Sequence, residues 1–446
     1  MNSKSHSVFA QQPVVFRYSS EAIYERWALA LLLLMVLFSV LPTGLSWNFE
    51  ITQEMTEGSI VRKLQWISLF LLAFFLAWKK KFENLKFFIW GNIPLWMLAI
   101  FSACSVFWSS APVNSARQVV QFFGILLVCY TVCIYFQKNL HKIFENCFLL
   151  LVIVLIFCLL MVFINPTQGK ESAIGIEGAW RGILEQKNSL GIVSGVMLLL
   201  LTYVQTFSPR KSIFGFSIFL LILVCLLGSR SSSSLFFGLI SVFLYIFLYK
   251  KHFDISMLFL RVGLLCLLLF LIVNMLFFFR ENSPLSFSDI AGPFSSLFGK
   301  SSDLTGRADI WVLMWQSISQ HWIFGAGFSS FWLGPGGPSQ FISDTLQWSV
   351  PTAHNGYLEV LNELGLIGMI FFVGMLLNHF ANIISIFGAF RHQASLHFSI
   401  LLIFLISNFS ESTALKVTSF LQVLLFISMM AAQTASITIK NNEDEN

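Results

Sequence analysis

Long apolar runs recur along this chain and decide what it can fold into. The runs are about 17 to 25 residues long, which is the length an α-helix needs to cross the hydrocarbon core of a bilayer. Charged residues make up only 11% of the 446 positions, whereas a soluble domain carries about 25%. The sequence therefore predicts an all-α integral membrane protein.

We expect about 12 transmembrane helices from these runs. Their approximate positions are 27–45, 65–78, 88–107, 119–137, 145–164, 189–207, 212–228, 235–249, 256–278, 364–390, 397–410 and 417–434. The connection at 279–363 is the longest, and it contains a Pro-Gly-rich stretch and several tryptophans. A connection of this length is usually functional, and its tryptophans suit the bilayer interface, so we predict a large external loop with short helices.

Positive charge is concentrated in five short connections. They contain Lys79, Lys80, Lys81 and Lys86; Lys138 and Lys142; Arg210 and Lys211; Lys250 and Lys251; and Arg391. Short loops rich in Lys and Arg stay in the cytoplasm. This rule predicts a cytoplasmic N-terminal segment (1–26), nine helices within 27–278, an external loop (279–363), three helices within 364–434 and a cytoplasmic tail (435–446).

Ionisable side chains also gather on the predicted external side. They are Arg117, Lys170, Arg181, Lys187, Arg230, Arg280, Lys300, Arg307, His321, His354, Glu411 and Lys416. A single Arg or Lys at the end of a span often only reaches for lipid head groups. A set of cations outside the membrane contradicts the topology rule, and this favours a functional role.

Three of these residues lie in informative local sequences. "GSRSSSS" places Arg230 in a very short turn at the membrane edge. "DLTGRADIW" has the pattern of a helix start, with Thr305 as N-cap and Asp309 in the first turn, and this favours anion binding beside Arg307. His354 precedes a short amphipathic helix.

This collection of residues suits the chemistry of an anionic lipid. Arginines at the outer leaflet can hold a lipid diphosphate through bidentate hydrogen bonds, and a nearby histidine can accept a proton from an attacking hydroxyl. The external loops contain neither an Asp-x-Asp pair nor a His/Cys cluster. We therefore predict neither a metal nor a cofactor.

The stretch "PTAHNGYLEVLNELGLIG" resembles a signature of the O-antigen ligase/polymerase superfamily, which includes Wzy-type polymerases. The shared pattern is His354, Asn355, nine residues, Gly365, two residues and Gly368. Similar segments are "SVFWSSAPVNSARQ" ending near Arg117, "SRSS" at Arg230, "LTGRADIW" at Arg307 and "NFSESTAL" around Glu411. "RGILEQKNSLG" is similar to the exopolysaccharide-polymerase branch, although Gln186 stands where that branch often has His.

The resemblance implies a metal-independent glycosyltransferase of the bacterial inner membrane, with both chain ends in the cytoplasm. Such enzymes take a glycan from undecaprenyl diphosphate on the periplasmic face. A polymerase transfers it to another lipid-linked repeat, whereas a ligase transfers it to lipid A-core, and related members glycosylate proteins. Expected partners are the lipid-linked donor, the glycan acceptor, a chain-length regulator and a flippase, and no nucleic acid is expected.

The resemblance also suggests a role for each residue. Arg230 and Arg307 would hold the diphosphate, and His354 would activate the acceptor hydroxyl. The expected substrate-binding residues are Arg181, Lys187, Arg117, Asn355 and Glu411.

Two alternatives to a polymerase remain at this point. One is a ligase that uses the same chemistry. The other is a polysaccharide transporter or flippase, which would place ionisable groups near the membrane midplane and often shows repeated halves. The predicted spans are nearly free of charge at their centres and show no repeat, so transport is the less favoured alternative.

Overall fold

The computed structural model describes residues 20–42, 60–172, 176–207, 212–250 and 307–444. The helices in these ranges are labelled here in chain order. They are α1 Ser20–Val40, α2 Ile60–Lys79, α3 Leu85–Trp90, α4 Ile93–Cys104, α5 Pro112–Tyr135, α6 His141–Ile164, α7 Lys187–Phe207, α8 Ser212–Gly228, α9 Ser232–Tyr249, α10 Arg307–Gln320, α11 Gln340–Leu346, α12 Gly356–Ile386, α13 Arg391–Ser407 and α14 Phe420–Asp444.

The prediction of an all-α integral membrane protein is confirmed. Within the described ranges, 8 helices are long and apolar enough to cross a membrane: α1, α2, α5, α6, α7, α9, α12 and α14. The apolar helices α4 and α8 are shorter, and α13 contains 17 residues. Each predicted span in the described ranges coincides with helical structure, while the span predicted at 256–278 lies outside them.

One predicted span is not a single helix. The run at 88–107 is divided into α3 and α4, which are separated by Gly91 and Asn92. The Asn92 side chain is buried, and it hydrogen-bonds to Gln433 of α14 and to Asn378 of α12. Hydropathy does not reveal this break because the flanking residues are strongly apolar.

Helix α14 is the centre of the bundle. It packs against α1, α5, α12 and α13. In its most apolar stretch of 18 residues, 94% of the residues are buried, compared with 33% in α1. Its polar side chains bind neighbouring helices. For example, Ser428 hydrogen-bonds to His397 of α13 and lies 3.3 Å from His379 of α12. Such contacts join helices within a membrane.

The two ends of the bundle differ in character. At one end, Lys80 after α2 pairs with Glu21 of α1 at 3.1 Å, and Arg391 donates to the Leu248 carbonyl of α9. Each of these two contacts involves a residue of a predicted basic loop. At the other end, α2 begins near residues 416–419, because Arg62 donates to Thr418 Oγ1 at 3.1 Å. The polar candidates described next lie at this second end.

The described part of the large loop has its own small hydrophobic core. Ile310, Met314 and Ile318 of α10 pack with Phe331 and Ile342. This cluster gives residues 307–350 a fixed arrangement above the bundle, which positions the residues on both sides of His354.

Candidate active site

His354 lies on a tightly held turn. Its φ is 51°, in the left-handed region that non-glycine residues adopt only under constraint. The preceding residue, Ala353, donates its N–H to Glu359 Oε1 at 2.9 Å and accepts from Trp311 Nε1 at 2.8 Å. The following residue, Asn355, donates its N–H to Ser412 Oγ at 3.1 Å. Anchors on both sides therefore fix the backbone that carries the imidazole.

The residue after His354 starts the next helix. Asn355 is the N-cap of α12, and its Oδ1 accepts from the N–H groups of Tyr357 and Leu358 at 3.1 and 3.2 Å. Such a cap satisfies N–H groups of the first helical turn. Asn355 therefore has a structural task, and its contact with the substrate stays a prediction.

The two glycines of the signature have different surroundings. Gly365 interrupts α12 with φ 63° and ψ −164°. A Cβ atom on Gly365 would lie 2.4 Å from the backbone carbon of Ile323, because residues 322–327 cross α12 here. Backbone hydrogen bonds fix the crossing, including Ala326 N to Asn362 O at 2.9 Å. The residues between His354 and Gly365 therefore form one short helical segment, which begins after the Asn355 cap and ends at the kink. Gly368 faces the Leu364 side chain.

Glu411 lies at the centre of the polar cluster. Its Oε1 accepts from Asn188 Nδ2 at 2.6 Å and lies 3.9 Å from Arg307 Nη2. Its Oε2 lies 4.0 Å from His354 Nδ1. A turn organised by Asn408, whose Oδ1 accepts from Thr413 N and Ala414 N, holds the carboxylate in this place. These three neighbours of the carboxylate, Asn188, Arg307 and His354, come from α7, α10 and the turn before α12.

The electrostatics of the cluster favour a neutral histidine. Burial, together with the positive charges of Arg307 and Lys416, lowers the pKa of His354 to about 4. Burial raises the pKa of the Glu411 carboxyl, while Arg307, Lys416 and Lys187 act in the opposite direction. A neutral imidazole has a free lone pair at neutral pH, as a proton acceptor requires.

A cavity of about 430 Å³ opens beside this cluster. Its wall includes His354, Glu411 and Lys416, and residues from the end of α1 and the start of α2, α7 and α14 also contribute. Gln186, which stands in place of the histidine of the exopolysaccharide branch, lines it as well. The polar cluster thus faces a space large enough for part of a substrate.

Another predicted motif supports the site, although its arginine does not line the cavity. In "SVFWSSAPVNSARQ", Ser105 Oγ accepts from Phe328 N at 2.9 Å, and Asn114 Nδ2 donates to Ser329 O at 2.5 Å. The motif therefore holds the segment that crosses α12. Arg117, at its end, is exposed on α5.

The predicted cations fall into two groups. Arg307 and Lys187 act on Glu411 and therefore lie in the cluster. Arg181 donates from Nε to Gln168 O at 2.7 Å, and Arg230 donates from Nη1 to Glu177 O at 3.1 Å. Arg181 and Arg230 thus contact the backbone near Gln168 and Glu177. Thr305, the predicted N-cap, lies outside those ranges.

Two residues of the site, Glu359 and Arg62, were not among the predicted site residues. Glu359 is 4% exposed; besides holding Ala353, it lies 4.0 Å from Lys416 Nζ. Arg62 lines the cavity. In a sequence, a Glu on a helix is typical of a solvent-exposed face, and an Arg beside Lys63 is typical of the end of a transmembrane span. The local sequence around Glu359 or Arg62 therefore does not indicate a functional site. Within the described ranges, no group of three His, Cys, Asp or Glu residues could hold a metal ion.

Comparison with known families agrees with the sequence resemblance. Residues 215–373 match the family model described as O-Antigen ligase. This segment includes Arg230, Arg307 and the signature from His354 to Gly368. The resemblance to the O-antigen ligase/polymerase superfamily is thereby confirmed. No curated protein matches the chain.

Proposed function

We propose that this protein is a polymerase of lipid-linked glycans. The match of residues 215–373 to the O-antigen ligase family supports the transfer of such glycans in general. In this proposal, the enzyme joins undecaprenyl-diphosphate-linked oligosaccharide repeats on the periplasmic face of the bacterial inner membrane. The product would be a surface polysaccharide such as an O-antigen or an exopolysaccharide.

One observation carries the proposal. His354, Glu411 and Arg307 converge from three separate parts of the chain, within 4.0 Å of one another through the Glu411 carboxylate. His354 and Glu411 line a cavity at one end of the helix bundle. A proton acceptor and an anion ligand at a membrane edge are the two groups that glycosyl transfer from a lipid diphosphate requires.

The reaction can be written with these groups. The acceptor hydroxyl gives its proton to His354 as its oxygen forms a bond to the anomeric carbon of the donor. The bond from that carbon to the phosphate oxygen breaks, and the electron pair leaves with undecaprenyl diphosphate. The proton then passes from His354 to the departing diphosphate or to water, which restores the neutral imidazole.

The remaining residues have supporting roles in the proposal. Arg307 and Arg230 hold the diphosphate and stabilise the charge that develops on it. Glu411 orients His354 and Arg307, since its two oxygens face one residue each. Lys187, Arg181 and Arg117 line the path of the glycan. No metal ion takes part in this mechanism, because Arg and His supply both functions.

An assay with purified protein in nanodiscs tests the proposal. The substrate is a synthetic lipid-diphosphate-linked repeat, supplied first alone and then together with lipid A-core, each with and without excess EDTA. A ladder of lipid-linked oligomers from the repeat alone is the expected result. A product that forms only when lipid A-core is present would identify a ligase instead.

Two further results would contradict parts of the proposal. If no product formed under any of these conditions, although the protein was folded and bound the donor, glycosyl transfer would be excluded. If EDTA abolished product formation and Mg²⁺ or Mn²⁺ restored it, the metal-free mechanism would be wrong. In cells, a chain-length regulator and a flippase would act on the same lipid-linked glycan.

A further inference from the structure

The cavity beside His354 combines two surfaces of opposite character. One surface is apolar and is built by four transmembrane helices. Its side chains are Phe38 and Val40 of α1, Trp66 of α2, Ile192 and Val193 of α7, and Phe420 and Leu421 of α14. An apolar wall of this kind, open at the end of a helix bundle, suits the chain of a lipid.

The other surface is cationic. Arg62 lies in the first turn of α2 and donates from Nη2 to Thr418 Oγ1 at 3.1 Å. Lys416 lies two residues before Thr418, its side chain is 41% exposed, and its Nζ is 4.0 Å from Glu359 Oε2. Both cations line the same cavity as His354, and neither belongs to the motif residues that the sequence singled out.

The neighbouring carboxylates Glu185 and Glu359 only partly neutralise the charges of Arg62 and Lys416. Glu185 interacts electrostatically with Arg62 from the cavity wall but is itself exposed. Glu359 is buried and also accepts a hydrogen bond from Ala353 N, so it is shared between two partners. An anion that enters the cavity can therefore gain contacts to Arg62 and Lys416 at little cost to the existing ion pairs.

Geometry indicates which substrate has its anion at this place. In a lipid-linked donor, the diphosphate is bonded directly to the anomeric carbon that reacts. In a lipid-linked acceptor, the reacting hydroxyl is separated from its own diphosphate by the whole glycan repeat. A cavity that contains His354 in its wall is therefore adjacent to the diphosphate of the donor and distant from that of the acceptor.

We propose that Arg62 and Lys416 are phosphate ligands for the donor's lipid diphosphate in this cavity, beside Arg307, which lies 3.9 Å from Glu411 of the cavity wall. The inference rests on the proposed function and names residues for it. The apolar wall takes the first isoprene units of the lipid, and the rest of the chain extends into the bilayer. A volume of about 430 Å³ is enough for the head group and the start of the chain.

The electrostatics of the cluster agree with this assignment. Lys416 and Arg307 both disfavour the protonated form of His354 in the empty site. A bound diphosphate offsets those charges, so the imidazole becomes a better proton acceptor when the donor is in place. Glu411 faces His354 from the turn before α14, with its Oε2 4.0 Å from Nδ1.

A binding experiment with the full chain in nanodiscs tests the proposal. Farnesyl diphosphate serves as the probe, because it has the diphosphate and three isoprene units but no sugar. We expect Arg62→Gln and Lys416→Gln each to weaken its binding at least tenfold. Arg62→Lys and Lys416→Arg keep the charge and should weaken binding less. Lys63→Gln is the matched control, since Lys63 is exposed next to Arg62 and does not line the cavity.

A second comparison separates a lipid diphosphate from other anions. Ile192→Trp should fill part of the apolar wall and weaken farnesyl diphosphate, while the binding of inorganic pyrophosphate should stay unchanged. Farnesyl diphosphate should also bind more tightly than inorganic pyrophosphate. Increasing the fraction of phosphatidylglycerol in the nanodisc should compete only weakly with the probe.

Each contrary outcome overturns a stated part. If both Gln variants bound farnesyl diphosphate as the wild type does, Arg62 and Lys416 would not be ligands. The proposed function would still stand in that case if Arg307→Lys lost glycan transfer. Equal affinity for pyrophosphate and farnesyl diphosphate would exclude the lipid component, and strong competition by phosphatidylglycerol would indicate a general anionic-lipid site. Should a Gln variant unfold, the charge-preserving variants still decide the question, because a purely structural Arg62 or Lys416 would give unaltered binding in them.

Discussion

The Nδ1 atom of His354 lies 4.0 Å from Oε2 of Glu411, and this nitrogen has no hydrogen-bond partner among the residues that the structure describes. The distance is too long for a hydrogen bond, but a small rotation of either side chain would form one. Catalytic hydrogen bonds are often long without substrate and shorten in the reactive complex. Once formed, the bond would fix the proton on Nδ1 and leave the Nε2 lone pair for the acceptor hydroxyl.

His354→Asn should abolish glycan transfer without unfolding the protein. Asn tolerates the left-handed backbone at this position better than most residues, but it cannot take up a proton near neutral pH. We expect normal insertion, retained donor binding and a loss of about 100-fold or more in turnover. The measurement is product formation with synthetic substrates, with His321→Asn as a matched control because His321 is exposed after α10. Near-normal turnover of His354→Asn would assign His354 a purely structural role.

The pH profile should reflect the low pKa of His354. Protonation removes the base, so kcat/KM should fall as the pH drops through about 4, the value set by burial, Arg307 and Lys416. A bound diphosphate brings negative charge and stabilises the imidazolium, so the acidic limb of kcat should lie at higher pH, by about one unit. Circular dichroism over the same range controls for acid unfolding. An acidic limb of kcat below that of kcat/KM would contradict the charge assignment.

Lysine should replace the site arginines poorly. Arg307→Lys keeps the charge but loses the planar fork that binds phosphate through two hydrogen bonds. We expect a loss of roughly 2–4 kcal/mol of transition-state stabilisation, or about 30- to 1,000-fold in rate, with the same direction for Arg230→Lys. Arg26→Lys, on α1 at the opposite end of the bundle, is the control. Full activity in both site variants would remove the diphosphate role from these arginines.

Gly365→Ala should destabilise the protein and disturb the site. A Cβ at this position would meet the Ile323 backbone at 2.4 Å, and φ 63° is strained for Ala. We expect a loss of about 1–3 kcal/mol from the backbone strain alone, with a further loss from the close contact. Gly374→Ala, on the same helix, has its nearest atom at 3.3 Å and should have little effect. The readout is thermal unfolding in detergent, and equal melting temperatures for the two variants would refute the argument.

Accessibility of introduced cysteines should show the orientation of the bundle. We expect Asp344→Cys in the large loop to react with a membrane-impermeant maleimide in cells with an intact inner membrane. Lys86→Cys in a basic loop should react only after that membrane is permeabilised. Both residues are exposed, so differences in burial do not complicate the comparison. The native cysteines are replaced by serine in both cases. The opposite pattern of labelling would invert the topology.

The sequence by itself determined the features that depend on neighbouring residues. Apolar runs matched to the bilayer thickness identified the transmembrane helices, because hydrocarbon requires a backbone that satisfies its own hydrogen bonds. The short amphipathic helix after His354 was also predicted, because helical periodicity is a local signal. Its cap at Asn355 and its kink at Gly365 became apparent only in the structure. The break at Gly91 and Asn92 was missed, since it depends on polar partners in α12 and α14.

Only the tertiary structure decided which polar residues share a site. Asn188, Arg307, His354 and Glu411 are far apart in the sequence and meet through the packing of α7, α10, α12 and α13. It paired Arg307 with Glu411 and showed Arg230 donating to Glu177 O, and it placed Arg62 and Lys416 in one cavity. It also buried His354 near Arg307 and Lys416, and burial and these two cations together lower the pKa of His354. Helical periodicity gives the face of one helix but not its neighbours, and so these relationships have no counterpart in the sequence pattern.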